Sequence, residues 1–334
     1  PWYLSQCLED PEKAGWPSVA HLQAKGAEVI HDYKNNSAAH RYESRRGSYM
    51  VGGQESMYPN QTRLIGPDGA KWYLAKEGYE PLAEYYANYF KYFYGSGGES
   101  GMPQPTFVEV MNEPFVKSSD LGTTNYNLSH MHNVVARRIK ELNPQIKVGG
   151  YSAAHPAYEA ADFKHWETNW KLFMDVAGDN MDFFALHLYD NYKDNNPATA
   201  QYRAGSNVEA ILDMLEHYGT LKFGYVKPFC ISEYGCLVDG GDPYTRERDW
   251  NNIRSFSTIQ MQLLERPDVI AQALPFLLLK ASWWEPDEEN RYPHRLFRQK
   301  KELDGETGEE WVYTEVVKFF QLWSQVRGTR VDSK

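Results

Sequence analysis

The sequence predicts an α/β fold, and within that class a (β/α)8 barrel, on three observations. From residue 80 onward, apolar strand segments alternate with amphipathic helices. The strand segments are nearly continuous apolar runs, which is typical of parallel strands covered on both faces. No strand is followed by a glycine-rich phosphate loop, since the pair Gly149-Gly150 lacks both the required spacing and a following helix start. The barrel is therefore favoured over a doubly wound sheet.

The first hundred residues carry the weakest pattern. A helix is predicted over 17–25, with Gly26 as the residue that ends it, and a short strand over 27–32. Residues 34–79 are polar and rich in Gly, Asn, Ser and Tyr. Segments of this length without regular structure are usually functional or disordered, so we expect a long loop there.

The rest of the chain supplies helices and strands in regular alternation. The helix predicted over 127–142 carries its apolar residues on one face, and Pro144 follows its end. Further helices are predicted over 80–94, 165–176, 208–218, 248–265 and 311–326. Strands are predicted over 106–112, 146–151, 181–189, 228–233 and 273–283.

The strand count leaves the N-terminal edge of the barrel open. If the strand 106–112 is the fourth and 228–233 the seventh, residues 1–105 must hold three strands, and only one or two are visible. Either a strand lies hidden in the irregular region, or the N-terminal edge of the barrel is incomplete. The whole chain, residues 1–334, is predicted to be a single catalytic domain.

Composition narrows the class of partner. The formal net charge of the 334 residues is −10, which argues against nucleic acid. No apolar run approaches the roughly 18 residues of a membrane span. Aromatic residues make up 15% of the chain, which fits a large core and a carbohydrate cleft equally well. Cys7, Cys230 and Cys236 are predicted to be free buried thiols, although Cys7 could pair with one of the others.

Two glutamates end predicted strands. Glu113 lies in Asn112-Glu113-Pro114 after the strand 106–112, and Glu233 ends the strand 228–233. The active site of a (β/α)8 barrel lies at the carboxyl ends of its strands. Glycoside hydrolysis needs one carboxyl group to protonate the leaving oxygen and a second to attack or to activate water. The pair therefore indicates a retaining or inverting glycosidase; the alternative is a pair of structural carboxylates.

Side chains beside these glutamates are candidates for substrate contact. Asn112 could donate to a sugar 2-hydroxyl. His187 and Tyr189 share one face of their strand, and either could hold the nucleophile's carboxylate by a hydrogen bond. A core histidine is the competing interpretation of His187. Glu109, on the face of Glu113, is expected to be a structural partner below the site.

The last predicted strand ends in two tryptophans. One of Trp283 and Trp284 could form the stacking floor of a sugar subsite, while the other packs outward. Three further residues are candidates for substrate binding: Glu285, His155 and Arg46. No cluster has the spacing of metal ligands, so no metal site is predicted.

These strand endings resemble clan A of the glycoside hydrolases, which are retaining enzymes on a (β/α)8 barrel. The resemblance rests on Asn112-Glu113-Pro114, His187-Leu-Tyr189, Ser232-Glu233-Tyr234-Gly235 and Trp283, and it covers roughly residues 105–290. Within the clan, the wording Glu-Val-Met-Asn-Glu-Pro-Phe and Ile-Ser-Glu-Tyr-Gly-Cys looks most like glycoside hydrolase family 86, the β-agarases and β-porphyranases. Carried over, Glu113 would be the acid/base and Glu233 the nucleophile.

The family resemblance implies a secreted, endo-acting enzyme that cuts β-1,4 bonds of red-algal galactans by double displacement. It implies no metal or organic cofactor, and we expect a monomer located extracellularly or in the periplasm. The β-sandwich domains that usually follow the barrel in this family are not expected within this chain.

The substrate stays open at this stage. Agarose is slightly favoured; porphyran, which carries sulfate, would need basic residues at the cleft, for which the candidates are Arg41, Arg45, Arg46, Arg291, His294 and Arg295. Another clan A polysaccharide such as xylan or mannan is a further alternative. A galactan-binding protein without activity and a dehydrogenase-type sheet are less favoured.

Overall fold

Parallel strands that alternate with helices make up most of the described chain. The structure is a computed structural model, and it describes residues 7–41, 43, 50–51, 78–119, 122–154, 156–193, 201–239, 244–276 and 295–328. The strands are β1 (Glu9–Asp10), β2 (Lys13–Pro17), β3 (Met50–Val51), β4 (Phe107–Glu109), β5 (Lys147–Ala153), β6 (Phe183–Lys193), β7 (Phe229–Asp239), β8 (Ile270–Pro275), β9 (Phe297–Gln299) and β10 (Trp311–Tyr313). The helices are α1 (Val19–Lys34), α2 (Ser37–His40), α3 (Glu80–Tyr92), α4 (Asn125–Leu142), α5 (Lys164–Trp166), α6 (Leu172–Val176), α7 (Ser206–Phe223), α8 (Arg246–Leu264) and α9 (Val317–Trp323).

Strands β3 to β8 form one sheet in which neighbours in the chain are also neighbours in the sheet. The pairs β3–β4, β4–β5, β5–β6 and β7–β8 are parallel. A doubly wound sheet reverses its strand order at a switch point, whereas the strands of a (β/α)8 barrel follow the chain. The order β3-β4-β5-β6-β7-β8 therefore confirms the predicted α/β barrel class.

The chain divides into two compact units, of which the first comprises Pro1–Leu186 and Tyr218–Lys227. In this unit α3 and α4 are joined by an ion pair, in which Arg138 Nε lies 2.7 Å from Glu84 Oε2. Helix α1 approaches α3 at Gly26, where an added Cβ would lie only 2.3 Å from the carbonyl oxygen of Tyr92. Gly26 is therefore required by close packing of two helices.

An aromatic cluster packs beside β5 in the first unit. The ring of Tyr151 stacks on Phe115 with 4.1 Å between centroids, and it lies 4.7 Å from Trp170 and 5.1 Å from Phe173. All four side chains are buried. Because Phe115 follows Glu113 by two residues, this cluster fixes the backbone just after that glutamate.

The second unit comprises His187–His217 and Pro228–Lys334. Here Arg266, which follows α8, donates to three carboxylates of α7, those of Glu209, Asp213 and Glu216. This network fastens the end of α8 to α7. All three cysteines of the chain are free and buried, as predicted. Within the described ranges, no helix is both long enough and apolar enough to cross a membrane.

The N-terminal prediction was partly wrong. Helix α1 runs from Val19 to Lys34, so the predicted strand 27–32 is helical and Gly26 lies inside the helix. Gly26 does not end α1. It lies inside the helix, where the absence of a side chain allows close contact with the end of α3. Strand β3 falls in the segment predicted to be a loop, and it pairs with Phe107 and Val108 of β4. A strand does lie hidden in the irregular region, as the first of the two alternatives proposed.

The C-terminal prediction also needs correction. The helix predicted over 311–326 starts only at Val317, and Trp311–Tyr313 pairs with Phe297–Gln299 as an antiparallel hairpin. The sequence Trp-Val-Tyr consists of strong β-formers, so local propensity agrees with the strand. Strand β8 covers 270–275, and the remainder of the predicted strand 273–283 lies almost wholly outside the described residues.

Candidate active site

Glu113 is placed by a turn and not by a strand. Strand β4 ends at Glu109, and Glu113 has φ 47° and ψ 48°, which is the left-handed region, immediately before a short 3-10 turn over Pro114–Lys117. The alternation argument that put Glu109 and Glu113 on one face of a strand is therefore wrong, because the strand stops four residues earlier. Glu109 is buried, as expected of a side chain below the site.

The backbone conformation of Glu113 is held from both sides. The hydroxyl of Tyr86, on α3, donates to the carbonyl oxygen of Val110 at 3.0 Å. On the other side, Phe115 is stacked on Tyr151. A left-handed conformation in a residue other than glycine costs on the order of 1 kcal/mol and persists where its surroundings fix it, which is common at functional sites. Asn112, the preceding residue, is half-buried.

Glu233 lies in an irregular part of β7. The register of β7 with β8 passes from Ile231 opposite Ala273 to Tyr234 opposite Pro275, so two residues of β7 face one of β8. This is the arrangement of a β-bulge, which re-aims side chains and is frequent next to active sites. Strand β7 continues to Asp239, so the prediction that the strand ends at Glu233 was wrong.

Two residues of β6 contact the carboxylate of Glu233. The hydroxyl of Tyr189 donates to Glu233 Oε2 at 2.7 Å, and His187 Nδ1 lies 3.4 Å from the same oxygen. The side chain of His187 is only 1% exposed, whereas that of Glu233 is 21% exposed. The structure thus brings together three of the predicted site residues, and both candidates for holding this carboxylate do contact it.

Asp190 is a residue of this region that the sequence analysis missed. Its Oδ1 accepts from the backbone N–H groups of Arg203 at 2.6 Å and Ala204 at 3.1 Å, and its Oδ2 accepts from the hydroxyl of Ser255 at 2.6 Å. Asp190 is buried and follows Tyr189 directly. It therefore links β6 to α8 and to the segment just before α7. A strand pattern gives no signal for such a role, because the partners are distant in sequence.

Several predicted site residues lie outside the residues that the structure describes. They are Arg46, His155, Trp283, Trp284 and Glu285. Among the basic candidates for a sulfate subsite, Arg41 and Arg295 are described. Arg41 directly follows α2 and is exposed, whereas Arg295 is 2% exposed in an ion pair with Glu302. Arg295 is therefore a buried structural residue and not part of a cleft lined by basic side chains.

His187 and Glu233 are side chains of the kinds that ligate metals. A catalytic zinc site uses three protein ligands and keeps a fourth position for water. In the second unit, His187 Nδ1 and Glu233 Oε2 are two such ligand atoms, and they lie 3.4 Å apart. The bond from Tyr189 indicates a carboxylate oriented by hydrogen bonding.

Comparison with known proteins identifies close relatives. The chain is 38% identical over 341 residues to a funoran endo-beta-hydrolase of Wenyingzhuangia aestuarii. The alignment covers 100% of this chain and 45% of that protein. It is 37% identical over 349 residues to a beta-agarase of Pseudoalteromonas atlantica, and this alignment covers 99% of this chain and 67% of that protein. The chain therefore spans less than half of the first relative and two thirds of the second. No family model matches the chain.

Two solved structures are also similar to this chain. The crystal structure of BuGH86 in complex with neoagarooctaose has a TM-score of 0.86 and 37% identity, covering 98% of this chain and 54% of that one. A beta-porphyranase of glycoside hydrolase family 86 from Bacteroides plebeius has a TM-score of 0.63 and 33% identity, covering 76% of this chain and 44% of that one.

Proposed function

Because the chain belongs to glycoside hydrolase family 86, we propose that it is an endo-acting hydrolase of β-1,4 linkages in red-algal galactans, with agarose as the preferred substrate. Membership rests on the two solved structures of this family described above, which are 37% and 33% identical to this chain, and it confirms the resemblance drawn from the strand endings. The observation that carries the proposal is the carboxylate of Glu233, held by Tyr189 and His187.

Glu233 is proposed as the nucleophile of a double displacement. A hydrogen bond donated to a carboxylate oxygen favours the ionised form and fixes its direction, and both are needed for attack on an anomeric carbon. The 2.7 Å bond from Tyr189 supplies this contact. The bulge in β7 turns Glu233 out of the regular strand alternation, which is how the side chain comes to lie next to β6 residues.

Glu113 is proposed as the acid/base. It would protonate the leaving oxygen in the first step and take a proton from water in the second. Support comes from its fixed left-handed backbone between the Tyr86 bond and the Phe115 stack, which positions one carboxyl group against a buried scaffold. Asn112 is proposed to donate to the sugar 2-hydroxyl, a contact that strengthens in the transition state.

The remaining assignments follow from the same family. Residues 1–334 are proposed to act as one catalytic domain and as a monomer, without a metal or an organic cofactor. The aromatic and polar residues outside the described ranges, Trp283, Trp284, Glu285, His155 and Arg46, are proposed to line the substrate subsites. We place the enzyme outside the cytoplasm, extracellularly or in the periplasm, because a galactan polymer is too large to enter a cell intact.

Porphyran is the second candidate substrate. A beta-porphyranase of Phocaeicola plebeius is 38% identical to this chain over 249 residues, covering 68% of the chain and 33% of that protein. This identity is as high as the identity to the beta-agarase, and it supports porphyran as the second candidate.

The test is product analysis on agarose and porphyran side by side. We expect neutral, even-numbered oligosaccharides from agarose, and a loss of about a thousandfold or more in rate for Glu233→Gln, as for other essential catalytic groups. Glu310→Gln is the matched control, because this carboxylate is exposed on the β9–β10 hairpin and forms a surface ion pair with Lys300. Full activity in Glu233→Gln, or no release of product from either galactan by the folded protein, would contradict the proposal.

A further inference from the structure

Asp190 is a buried acid that directly follows Tyr189 on β6. Neighbouring residues of a strand point to opposite faces. Tyr189 reaches the carboxylate of Glu233 on β7, whereas Asp190 reaches the hydroxyl of Ser255 on α8. Asp190 is 2% exposed, so the contacts of its carboxylate are internal to the second unit. The same point of β6 is therefore held on both of its faces.

The connection from β6 to α7 is closed at its base around Asp190. Its Oδ1 accepts from the backbone N–H groups of Arg203 at 2.6 Å and Ala204 at 3.1 Å. One residue further along the strand, Asn191 and Gln201 exchange two backbone hydrogen bonds, at 2.9 and 2.8 Å. One carboxylate thus fixes the place where the chain leaves β6 to the place where it enters α7.

Asp190 also lies next to β7. Burial raises the pKa of the Cys236 thiol, and the negative charge of Asp190 adds to this effect. Cys236 follows Glu233 by three residues on the same strand. The two strands that the Tyr189–Glu233 bond joins therefore meet a second time at Asp190.

The bond between Tyr189 and Glu233 depends closely on the position of β6. Its length of 2.7 Å is the usual one for an O–H donor, and such bonds weaken beyond about 3.0 Å. The tyrosine ring packs edge-on against Phe276, with 6.1 Å between centroids, which limits its rotation. Because the ring is rigid, a shift of the backbone at the end of β6 displaces the hydroxyl by a similar distance.

Gln262 provides a matched comparison. Its Oε1 accepts from the backbone N–H of Gly205 at 2.7 Å, and its Nε2 donates to the carbonyl oxygen of the same residue at 2.8 Å. Gln262 therefore fastens the segment before α7 to α8, as Asp190 does, but it does so through a residue that is not next to Tyr189. Loss of Gln262 loosens the segment, whereas loss of Asp190 also releases β6.

We propose that Asp190 is a positioning residue of the hydrolase, which fixes the end of β6 so that the hydroxyl of Tyr189 holds the carboxylate of Glu233. The inference rests on the proposed function for the role of Glu233 as nucleophile. Because Asp190 is buried behind β6, it acts through Tyr189 and not on the substrate.

A double-mutant cycle tests whether Asp190 acts through Tyr189. Steady-state kinetics on soluble agarose oligosaccharides compare Asp190→Ala in the wild type and in Tyr189→Phe. We expect kcat to fall about tenfold in the wild type, with KM changed less than about twofold. In Tyr189→Phe the same change should lower kcat less than about twofold, because the hydroxyl that it positions is already absent.

Two further variants separate positioning from general stability. Asp190→Asn should keep kcat within about threefold of the wild type, because an amide oxygen still accepts from both backbone N–H groups and its nitrogen can donate to Ser255. Gln262→Ala should keep the kcat of the wild type. If Asp190→Ala does not fold, Ser255→Ala removes only one of the three bonds and should show the same coupling to Tyr189→Phe, with kcat lowered about threefold in the wild type.

An equal fall in kcat in both backgrounds would overturn the proposal, and so would a fall in Gln262→Ala as large as that in Asp190→Ala. Crystal structures of these two variants give a readout without turnover. The distance from the Tyr189 hydroxyl to Glu233 Oε2 should exceed about 3.5 Å in Asp190→Ala and remain close to its present 2.7 Å in Gln262→Ala. An unchanged distance in Asp190→Ala would refute the positioning role, whereas absence of hydrolysis by the unmodified protein would refute the proposed function alone.

Discussion

At the scale of single residues, the carboxylate of Glu233 shows how a strand pattern becomes a chemical site. Tyr189 and His187 are two residues apart on β6, so they project from the same face and reach the same oxygen. The sequence predicted both residues as candidates because this spacing is visible in the chain. The prediction was that either residue could hold the nucleophile's carboxylate, and in the structure both contact Glu233, which lies 44 residues after Tyr189.

The hydrogen bond from Tyr189 gives the first prediction. Tyr189→Phe removes a hydroxyl at 2.7 Å from Glu233 Oε2 while leaving the ring in place. A hydrogen bond to a charged group is worth about 1.5–3 kcal/mol, so kcat should fall about 10- to 100-fold with little change in KM.

Steady-state kinetics on soluble agarose oligosaccharides check this, with Tyr313→Phe on the exposed face of β10 as the control. A fall in affinity without a fall in kcat would show that Tyr189 binds the substrate and does not orient the nucleophile.

A buried histidine gives a second prediction at this scale. Burial lowers the pKa of His132 to about 4, against a weaker opposing effect of the hydrogen bond to the carbonyl oxygen of Leu128. The unfolded chain takes up a proton near pH 6.5, and the folded chain does so only near pH 4. The stability that depends on neutral His132 is therefore complete above pH 6.5 and is lost as the pH falls from 6.5 to 4.

Urea unfolding at pH 7 and pH 4.5 measures this difference. The wild type should lose about 2 kcal/mol more than His132→Gln between these two values, since the variant has no group to protonate there. His217→Gln, at an exposed position of α7, should retain the wild-type difference. An identical loss in the wild type and in His132→Gln would refute this assignment.

At the scale of elements, the sequence predicted most helices and strands but misjudged where the site strands end. Apolar residues continue past Glu233 through Cys236, Leu237 and Val238, and β7 continues with them. A bulge in β7 directs the side chain of Glu233 toward β6. A bulge depends on the register between two strands, so the sequence of one strand does not predict it. At Glu113 the reverse holds, because β4 is shorter than its apolar run.

Gly26 illustrates the same limit for helices. A glycine after an amphipathic segment is a common C-cap, yet here it permits contact between α1 and α3. Gly26→Ala should lower the free energy of unfolding by about 1–3 kcal/mol, because the added methyl group meets a backbone carbonyl that cannot move aside.

Gly219, within α7, is the matched control. An added Cβ there meets its nearest neighbour at 3.7 Å, which is ordinary contact distance. Gly219→Ala should raise stability by about 0.4–1 kcal/mol, as expected for alanine in a helix. Chemical denaturation of both variants decides the matter, and equal effects at the two positions would disprove the packing role of Gly26.

At the scale of the whole molecule, the barrel class was predictable because it depends on alternation and not on exact boundaries. The strand order along the sheet follows the chain, as the sequence required. The aromatic content, ambiguous on composition, is distributed between core rings such as Tyr151 and exposed rings such as Trp250. Only the structure separates these two uses of the same residue types.

Endo-action is the property of the whole molecule that distinguishes the proposal from an exo-acting clan A enzyme. A groove open at both ends lets the enzyme cut within the polymer, so the viscosity of an agarose solution should fall before reducing ends accumulate. Parallel viscometry and reducing-end assays measure both quantities. A viscosity that falls only in proportion to released ends would indicate exo-action.

The most direct test of the central claim is rescue by azide of two truncated variants, Glu113→Ala and Glu233→Ala. In a double displacement, azide replaces water in the second step when the acid/base is absent, and it replaces the nucleophile when that group is absent. The account predicts a β-glycosyl azide from Glu113→Ala and an α-glycosyl azide from Glu233→Ala, which product NMR resolves. The opposite pairing of variants and anomers would contradict the assigned roles of Glu113 and Glu233.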